Sequence, residues 1–481
     1  MPRIAAARRV AAAAGQWRDG GPLRPYVRLQ RRAGVTARPR VLIIGCGFGG
    51  IEAVRALSKA PVEITLVDRT NHHLFQPLLY QVATAGLTAP AISAPIRSVL
   101  QREMGRGNLT VLKAEVHAID VAAHTATLDG GDEIAWDHLI VAAGAVNSYF
   151  GHDNWQRHAP GLKTLADAFD IRARMIGAFE NAERTHDPVE RDRSLTFVVI
   201  GGGPTGVEMA GTMIEIARHT LRREFRRIDP ATARVLLVEG APRILGTFVE
   251  KQSKRAEDEL RRLGVEIHTN ARVTAIDADG VECEATVDGA AHRERIAART
   301  VIWAAGVAGV PLGAEIARGT GAALDRAGRV VVEPDLSVAG HPEISVIGDL
   351  ASAQSHGPDG TRPVPGVSPA AKQMGRTAAA NVLRRLRGEA TLPFRYRDYG
   401  NLATIGRKAA VVELAVPGLG ALRFAGFGAW LFWLFAHIYF LIGFRSRLIV
   451  MLEWAWAYVT YERSARVVAE TAPSTSVSPR S

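Results

Sequence analysis

Two glycine-rich turns of the same design constrain this chain more than anything else in it. The first lies in Val41-Leu-Ile-Ile-Gly-Cys-Gly-Phe-Gly-Gly50 and the second in Leu195-Thr-Phe-Val-Val-Ile-Gly-Gly-Gly-Pro-Thr-Gly206. Each follows a β-branched run and opens a helix-compatible stretch, residues 51–60 and 207–218. Each is followed by a second apolar run that ends on an acid, Asp68 in one case and Glu239 in the other. Strand, glycine turn, helix and a second strand ending on a carboxylate form the fingerprint of a dinucleotide site. Gly45 allows the tight turn. Gly47 lets the backbone approach a pyrophosphate, and Gly50 lets the helix pack against the strand. The helix N-terminus then offers free N–H groups and a positive dipole end to the phosphates. Asp68 stands 23 residues after Gly45, placed to accept from a ribose hydroxyl.

The two halves continue to match. Residues 109–116 read as a strand, 125–136 as a hairpin about Asp129-Gly-Gly131, and 138–143 as a buried strand stopping at Gly144. In the second half the counterparts are a strand over 265–268, a hairpin over 281–296 about Asp288-Gly289, and a strand over 300–305 stopping at Gly306. Gly45 to Gly144 spans 99 residues and Gly201 to Gly306 spans 105. A duplication on this scale predicts an α/β chain with two Rossmann-like dinucleotide-binding domains. Residues 330–390 read as a return to the first of them, through the strand-like Ile344-Ser-Val-Ile-Gly-Asp349 and a helix over 369–387.

Bulk properties exclude several classes. The formal net charge is +11, but residues 1–40 hold ten arginines and one acid, +9, which leaves +2 for the other 441. The basic balance is therefore a property of an Ala/Arg/Gly-rich leader, and no basic helix interleaved with aromatics points to nucleic acid. The leader is Arg-rich and acid-poor like a transit peptide. The plainer reading, adopted here, is a disordered extension or a start codon placed too early. Cys46 and Cys283 are far apart, so no redox dithiol exists close in sequence. His72-His73 lacks metal-ligand spacing, and no metal site is expected.

Residues 424–444 form a 21-residue run with no formal charge, only His437 being ionisable. As one helix it would measure about 32 Å, against a hydrocarbon core of about 30 Å. Residues 448–461 are apolar and aromatic with Glu453 alone charged. This C-terminus is expected to attach the chain to a membrane. The run taken alone is long enough to span and lacks a polar face, which favours a crossing.

Two dinucleotide sites need two ligands, and the natural pair is a resident flavin and an exchanging nicotinamide. Gly348-Asp349, after a late strand, suits the ribityl chain and pyrophosphate of a flavin whose adenine end sits at Asp68. Glu239 would accept from a free ribose 2′-OH and repel a 2′-phosphate, which favours NADH over NADPH.

From about residue 40 to 465 the chain resembles the type II NADH:quinone oxidoreductases, within the two-dinucleotide-binding flavoprotein fold. The resemblance rests on His72-His-Leu-Phe-Gln-Pro-Leu-Leu-Tyr-Gln-Val-Ala-Thr84, Gly201-Gly-Gly-Pro-Thr-Gly-Val-Glu208, Val346-Ile-Gly-Asp349, Gly400-Asn-Leu-Ala-Thr-Ile-Gly406 and the apolar aromatic C-terminus. It implies that Gly45, Gly47, Phe48, Gly49, Gly50, Asp68, Arg69, Val116, Gly144 and Asp349 hold FAD. It implies that Gly201, Gly203, Thr205, Gly206, Glu239 and Gly306 hold NADH. Glu208 would sit near the nicotinamide and flavin rings and Gln373 at the quinone face of the flavin. The family's quinone-side motif is often Ala-Gln-x-Ala-x-Gln, whereas this chain has Ser368-Pro-Ala-Ala-Lys-Gln373, with Pro369 at the first glutamine. The implied reaction passes hydride from NADH to tightly bound FAD, and then two electrons to a membrane quinone, ubiquinone or menaquinone, without proton pumping.

The implied organisation is an extension over 1–38, an FAD-binding domain over 39–155, an NADH-binding domain over 156–325, an FAD-domain return over 326–395, a membrane-anchor region over 396–465 and a tail over 466–481. The resemblance favours a monotopic anchor dipping into one leaflet, with Trp430, Trp433, Trp454 and Trp456 available near the headgroups. Its catalytic domains would face the cytoplasmic side of a bacterial inner membrane, and a homodimer stays open. Sulfide:quinone oxidoreductase and disulfide reductase chemistry would keep the fold but need active-site cysteines that this chain lacks. A slow redox-sensing flavoprotein is the alternative from another class.

Overall fold

The computed structural model describes residues 38–468 apart from 288–289, 359 and 417–419. The chain divides into Met1–Arg38 and Pro39–Ser481, and the second unit holds every strand and helix among the described residues. The expected basic extension (bar Arg38), the tail beyond 468 and the Asp288-Gly289 turn lie outside the described residues.

The duplication reappears as strand order. One sheet runs Ser337–Val338, His341–Val346, His138–Val141, Arg40–Ile44, Glu63–Asp68, Leu109–Lys113. The other runs Thr300–Trp303, Thr196–Ile200, Arg234–Val238, Val265–His268. From the fourth strand to the third, the two orders are the same. Both are parallel, save for the antiparallel edge strand Ser337–Val338. Such strands are covered on both faces, which is why Val-Leu-Ile-Ile and Thr-Phe-Val-Val-Ile show no alternation. A three-stranded antiparallel meander sits between third and fourth strands in each half, Val116–Asp120 with its partners in one and Ala271–Asp277 with its partners in the other.

The turns match atom by atom. Gly45 N–H donates to Val67 O at 2.8 Å, and Gly201 N–H donates to Val238 O at 2.8 Å. Gly45 has φ +98° and Gly201 φ +109°, both in the left-handed region. A Cβ on Gly50 would stand 1.8 Å from Gly45 O, and one on Gly206 would stand 1.8 Å from Gly201 O. Each helix thus rests directly on the carbonyl of its own turn.

The return segment is tied in at a second close approach. Helix Ser368–Leu386 crosses helix Phe48–Leu57 where a Cβ on Gly375 would meet Gly49 O at 2.2 Å. Strand His341–Val346 completes the first sheet beside His138–Val141.

The C-terminal run departs from the single 21-residue helix its hydropathy suggested. Residues up to Gly426 belong to strand Gly420–Gly426. Helix Phe427–Phe440 follows, 14 residues long, and a new helix Phe444–Thr460 begins after Gly443, which sits at φ +87°. Fourteen residues reach about 21 Å, short of a hydrocarbon core. No helix among the described residues is long and apolar enough to cross a membrane. The apolar side chains of the run divide between buried and exposed positions. Ala429, Trp433, Leu441 and Val450 are buried in the core. Phe427, Leu431, Phe435 and Tyr439, spaced by four, are exposed, as are Phe444, Leu448, Leu452, Trp456 and Val459 on the second helix. Of the four tryptophans expected at a headgroup level, only Trp456 is exposed, and Trp433 is buried.

Candidate functional site

A cleft of about 1010 Å³ opens at the carboxyl ends of the first sheet's strands, against the second glycine-turn helix and the first C-terminal helix. This is the usual ligand position in an open α/β sheet. It stands at the upper end of common small-molecule site volumes, roughly 300–1,000 Å³. Its wall carries Gly45, Gly47, Phe48, Gly49, Asp68, Arg69, Val116, Gly144 and Asp349 from the first half. From the second glycine-turn helix it carries Pro204, Thr205 and Glu208.

The cleft fits a dinucleotide. Gly47 and Gly203 are the N-caps of their helices, neither supplies a side-chain cap, and a Cβ on either would meet nothing within 4 Å. Free N–H groups therefore face open space where phosphates belong. Asp68 accepts from Cys46 N–H at 2.6 Å and from Thr70 N–H and Oγ1 at 2.7 Å each. Glu239 is held in the same way, accepting from Gly202 N–H at 2.5 Å and Ala241 N–H at 2.7 Å. Each carboxylate is fixed in orientation by its own turn and keeps lone pairs for a ribose.

Glu208 sits where the two halves meet. It is buried and accepts a long hydrogen bond from Thr404 N–H at 3.4 Å. Burial pushes its carboxyl up to about 8, so it is neutral at pH 7. The Trp433 indole partly opposes that shift, although its Nε1 meets no acceptor at hydrogen-bonding geometry. Tyr80 lines the cleft beside it, and its phenol is pushed well above the usual range by burial and by Glu208. Tyr80 Oη accepts from Gln81 Nε2 at 2.9 Å, and Gln81 Oε1 accepts from Trp454 Nε1 at 2.7 Å. His437, on the opposite wall, stacks on Trp433 at 4.0 Å and is pushed down to about 4 by burial. Its surface faces the cleft and not bulk water, so it is neutral.

Several expected residues lie elsewhere. Gly50 is behind the cleft, against Gly45. Gly201, Gly203, Gly206, Glu239 and Gly306 do not line it; they lie in the second glycine turn and beyond the carboxyl ends of strands Arg234–Val238 and Thr300–Trp303. Gln373 is held by a neighbouring stretch of chain. Its amide is paired with one backbone unit, Nε2 donating to Arg397 O at 3.0 Å and Oε1 accepting from Arg397 N–H at 2.8 Å, and it does not line the cleft. Pro369, from the same helix, reaches the wall instead. Sequence reasoning missed Tyr80, Lys163 and His437. Lys163 lines the cleft near Asp349, lowered from its usual range by burial, with no hydrogen bond or ion pair to its ammonium among the described residues. Nothing in the sequence marked it. His437 did carry a signal: it is the one ionisable group in the apolar run.

The family profile of pyridine nucleotide-disulphide oxidoreductases matches residues 39–375. The type II NADH:quinone oxidoreductase NdhA of Mycobacterium tuberculosis is 44% identical over 442 residues, covering 90% of each chain. The chain belongs to the type II NADH:quinone oxidoreductases. The Staphylococcus aureus type II NADH:quinone oxidoreductase is 30% identical over 373 residues, 77% of this chain and 88% of that one. Among solved structures, NDH2 of Plasmodium falciparum in complex with NADH has a TM-score of 0.78 at 19% identity, over 90% of this chain and 100% of that one. The sulfide:quinone oxidoreductase of Aquifex aeolicus shares the fold at TM-score 0.66 and 20% identity, over 85% and 92%. Both cysteines here are buried with thiols pushed up by burial. Membership of the type II family thus agrees with a site that offers no thiolate nucleophile.

Proposed function

We infer that this protein is a FAD-dependent NADH:quinone oxidoreductase in which one cleft serves both half-reactions. The observation that carries this is the shared wall: the FAD-type turn, the second glycine-turn helix at Glu208, and the C-terminal helix at Ala436, His437 and Phe440 line the same cavity. When bound, FAD takes two electrons and a proton from NADH and passes two electrons on to a quinone. The chain's own residues do the rest. Gly47, Asp68 and Asp349 hold and orient the flavin nucleotide. Lys163 supplies a cation toward its anionic parts. Glu208, neutral and desolvated, holds a proton at its carboxyl beside the reacting rings. Tyr80, His437, Trp433 and Phe440 keep water out. Gln373 acts by positioning, since it fixes the chain at Arg397, two residues before the cleft residue Tyr399. The deciding experiment is NADH oxidation by the purified, yellow protein with a soluble quinone. Colourless protein that takes up no flavin would overturn the reading.

The domain limits expected from the sequence are kept as a proposal, with FAD held by residues 39–155 and 326–395 and NADH by 156–325. For the anchor we propose monotopic attachment through the exposed stripes of the two C-terminal helices, with the catalytic cleft on the NADH side.

Two outcomes test the nucleotide sites. Gly206→Ala forces a methyl against Gly201 O, and overpacking of this kind costs about 1–3 kcal/mol. The KM for NADH rises by roughly 10- to 100-fold while the flavin spectrum of the purified protein is unchanged. Gly50→Ala gives the converse, protein that loses FAD on gel filtration. Separately, Glu239→Gln removes a carboxylate that repels a 2′-phosphate, so the ratio of kcat/KM for NADH over NADPH narrows by about tenfold or more. Equal wild-type rates with both coenzymes would remove that role from Glu239.

A further inference from the structure

We propose that the arginine-rich segment after the second glycine-turn helix recognises the headgroups of an anionic lipid surface, next to the exposed apolar stripe of the last helix. The inference rests on the reading of that stripe as lipid-facing and adds the chemistry of the lipid. Helix Pro204–Glu215 passes into a π-helical turn, Ile216–Thr220, and then into Leu221-Arg-Arg-Glu-Phe-Arg-Arg227. The turn sits against the end of helix Phe444–Thr460: Thr220 Oγ1 donates to Tyr461 O at 3.3 Å, and the His219 and Tyr461 rings lie 5.4 Å apart. On the same helix end, Val459 is 78% exposed and Trp456 59%. Arg222, Arg223 and Arg226 are exposed, and their guanidinium groups make no ion pair or hydrogen bond among the described residues. The segment's one acid, Glu224, is engaged by Arg466. Arg407 stands over the Tyr461 ring at 3.7 Å and adds a further positive charge beside the stripe.

Free arginines bordering exposed aromatic and aliphatic side chains match the two parts of an anionic bilayer surface, phosphates outside and acyl chains within. A second copy of this chain would present the same positive segment to itself and repel.

The test compares vesicles of phosphatidylcholine alone with vesicles containing about one-third phosphatidylglycerol, by co-sedimentation of the FAD-loaded full chain at low and high salt. The wild type prefers the anionic vesicles, and salt removes the preference. Each arginine contributes roughly fivefold in partitioning, so Arg222→Gln/Arg223→Gln/Arg226→Gln loses on the order of 100-fold of that preference. The triple variant keeps its binding to neutral vesicles and its NADH oxidation with a soluble quinone in detergent. Equal wild-type binding to both vesicles overturns the proposal and leaves the apolar stripe as the anchor. Binding to neither overturns the membrane reading itself. A triple variant that changes oligomeric state in sedimentation without changing lipid preference assigns the segment to a protein contact and overturns the proposal.

Discussion

Glu208→Gln slows quinone reduction by roughly 100-fold or more while FAD stays bound. The amide keeps the shape and the contact with Thr404 N–H but has no acidic proton to give, and a positioned general acid typically contributes about 10²–10⁴ in rate. Stopped-flow separation of the half-reactions shows the larger loss in flavin reoxidation by quinone. Equal losses in both halves, or none, would return Glu208 to a packing role. The pH dependence has a definite sign. Burial raises the folded carboxyl to about 8. Between the ordinary carboxylate range and pH 8 the unfolded chain ionises and the folded chain does not, so wild-type stability falls as pH rises through that window. Glu208→Gln has nothing to ionise. It therefore melts higher than wild type near pH 8, by on the order of 3–5 kcal/mol of stability, and the gap closes near pH 4. The wild-type rate of quinone reduction declines above about pH 8 as the neutral carboxyl is lost.

Removing the chain from Phe427 onward destroys the enzyme and does not release a soluble one. Hydropathy alone suggests that a truncated chain keeps its reaction with soluble acceptors. The structure argues otherwise. The Trp433 indole stands beside Glu208, His437 and Phe440 form cleft wall, and Ala429, Trp433, Leu441 and Val450 belong to the main core. Glu453 accepts from Thr88 N–H and Oγ1 at 3.2 and 2.9 Å, and Trp454 holds Gln81. Losing one large buried side chain costs about 3–5 kcal/mol, and truncation removes several of them. The expected product aggregates and holds no flavin. The informative variant acts on the outer stripe: Phe435→Ser with Leu452→Ser leaves the inner face intact. It moves protein from the membrane pellet to the supernatant, keeps NADH oxidation with a soluble quinone, and loses most of the rate with a long-chain quinone in vesicles. Retention in the pellet would take the stripe out of the anchor.

How much of this the sequence displayed depends on whether local physics decided the feature. The glycine turns were legible because only glycine tolerates φ near +100° at Gly45 and a helix resting on a carbonyl at Gly50. The parallel strands were legible because burial on both faces leaves continuous apolar runs. The C-terminal run was misleading because hydropathy does not tell a side chain that enters the core from one that stays exposed, and only the fold separates Trp433 from Phe435. The pairing of Gln373 was not legible because a motif carries a residue's position but not its rotamer, and the Arg397 backbone takes both ends of its amide. Lys163 had no local signature, and Tyr80 lay inside the His72–Thr84 motif with nothing to single it out. They matter through what lies opposite them, which is a property of the tertiary structure.

The strand that closes the first sheet has a consequence for how the protein is made. Ile344 pairs with Leu139, 205 residues earlier in the chain (344 − 139). At about 5–20 residues per second of synthesis, that gap takes roughly 10–40 s. Through that interval the edge of His138–Val141 has no neighbour on one side, while every strand of the second sheet, from Thr196 to Trp303, is synthesised within it. An apolar, unpaired edge of this kind is a template for wrong pairing. Nascent chains stalled between Trp303 and His341 should therefore engage chaperones through the first half and not the second. The half that is begun first is finished last.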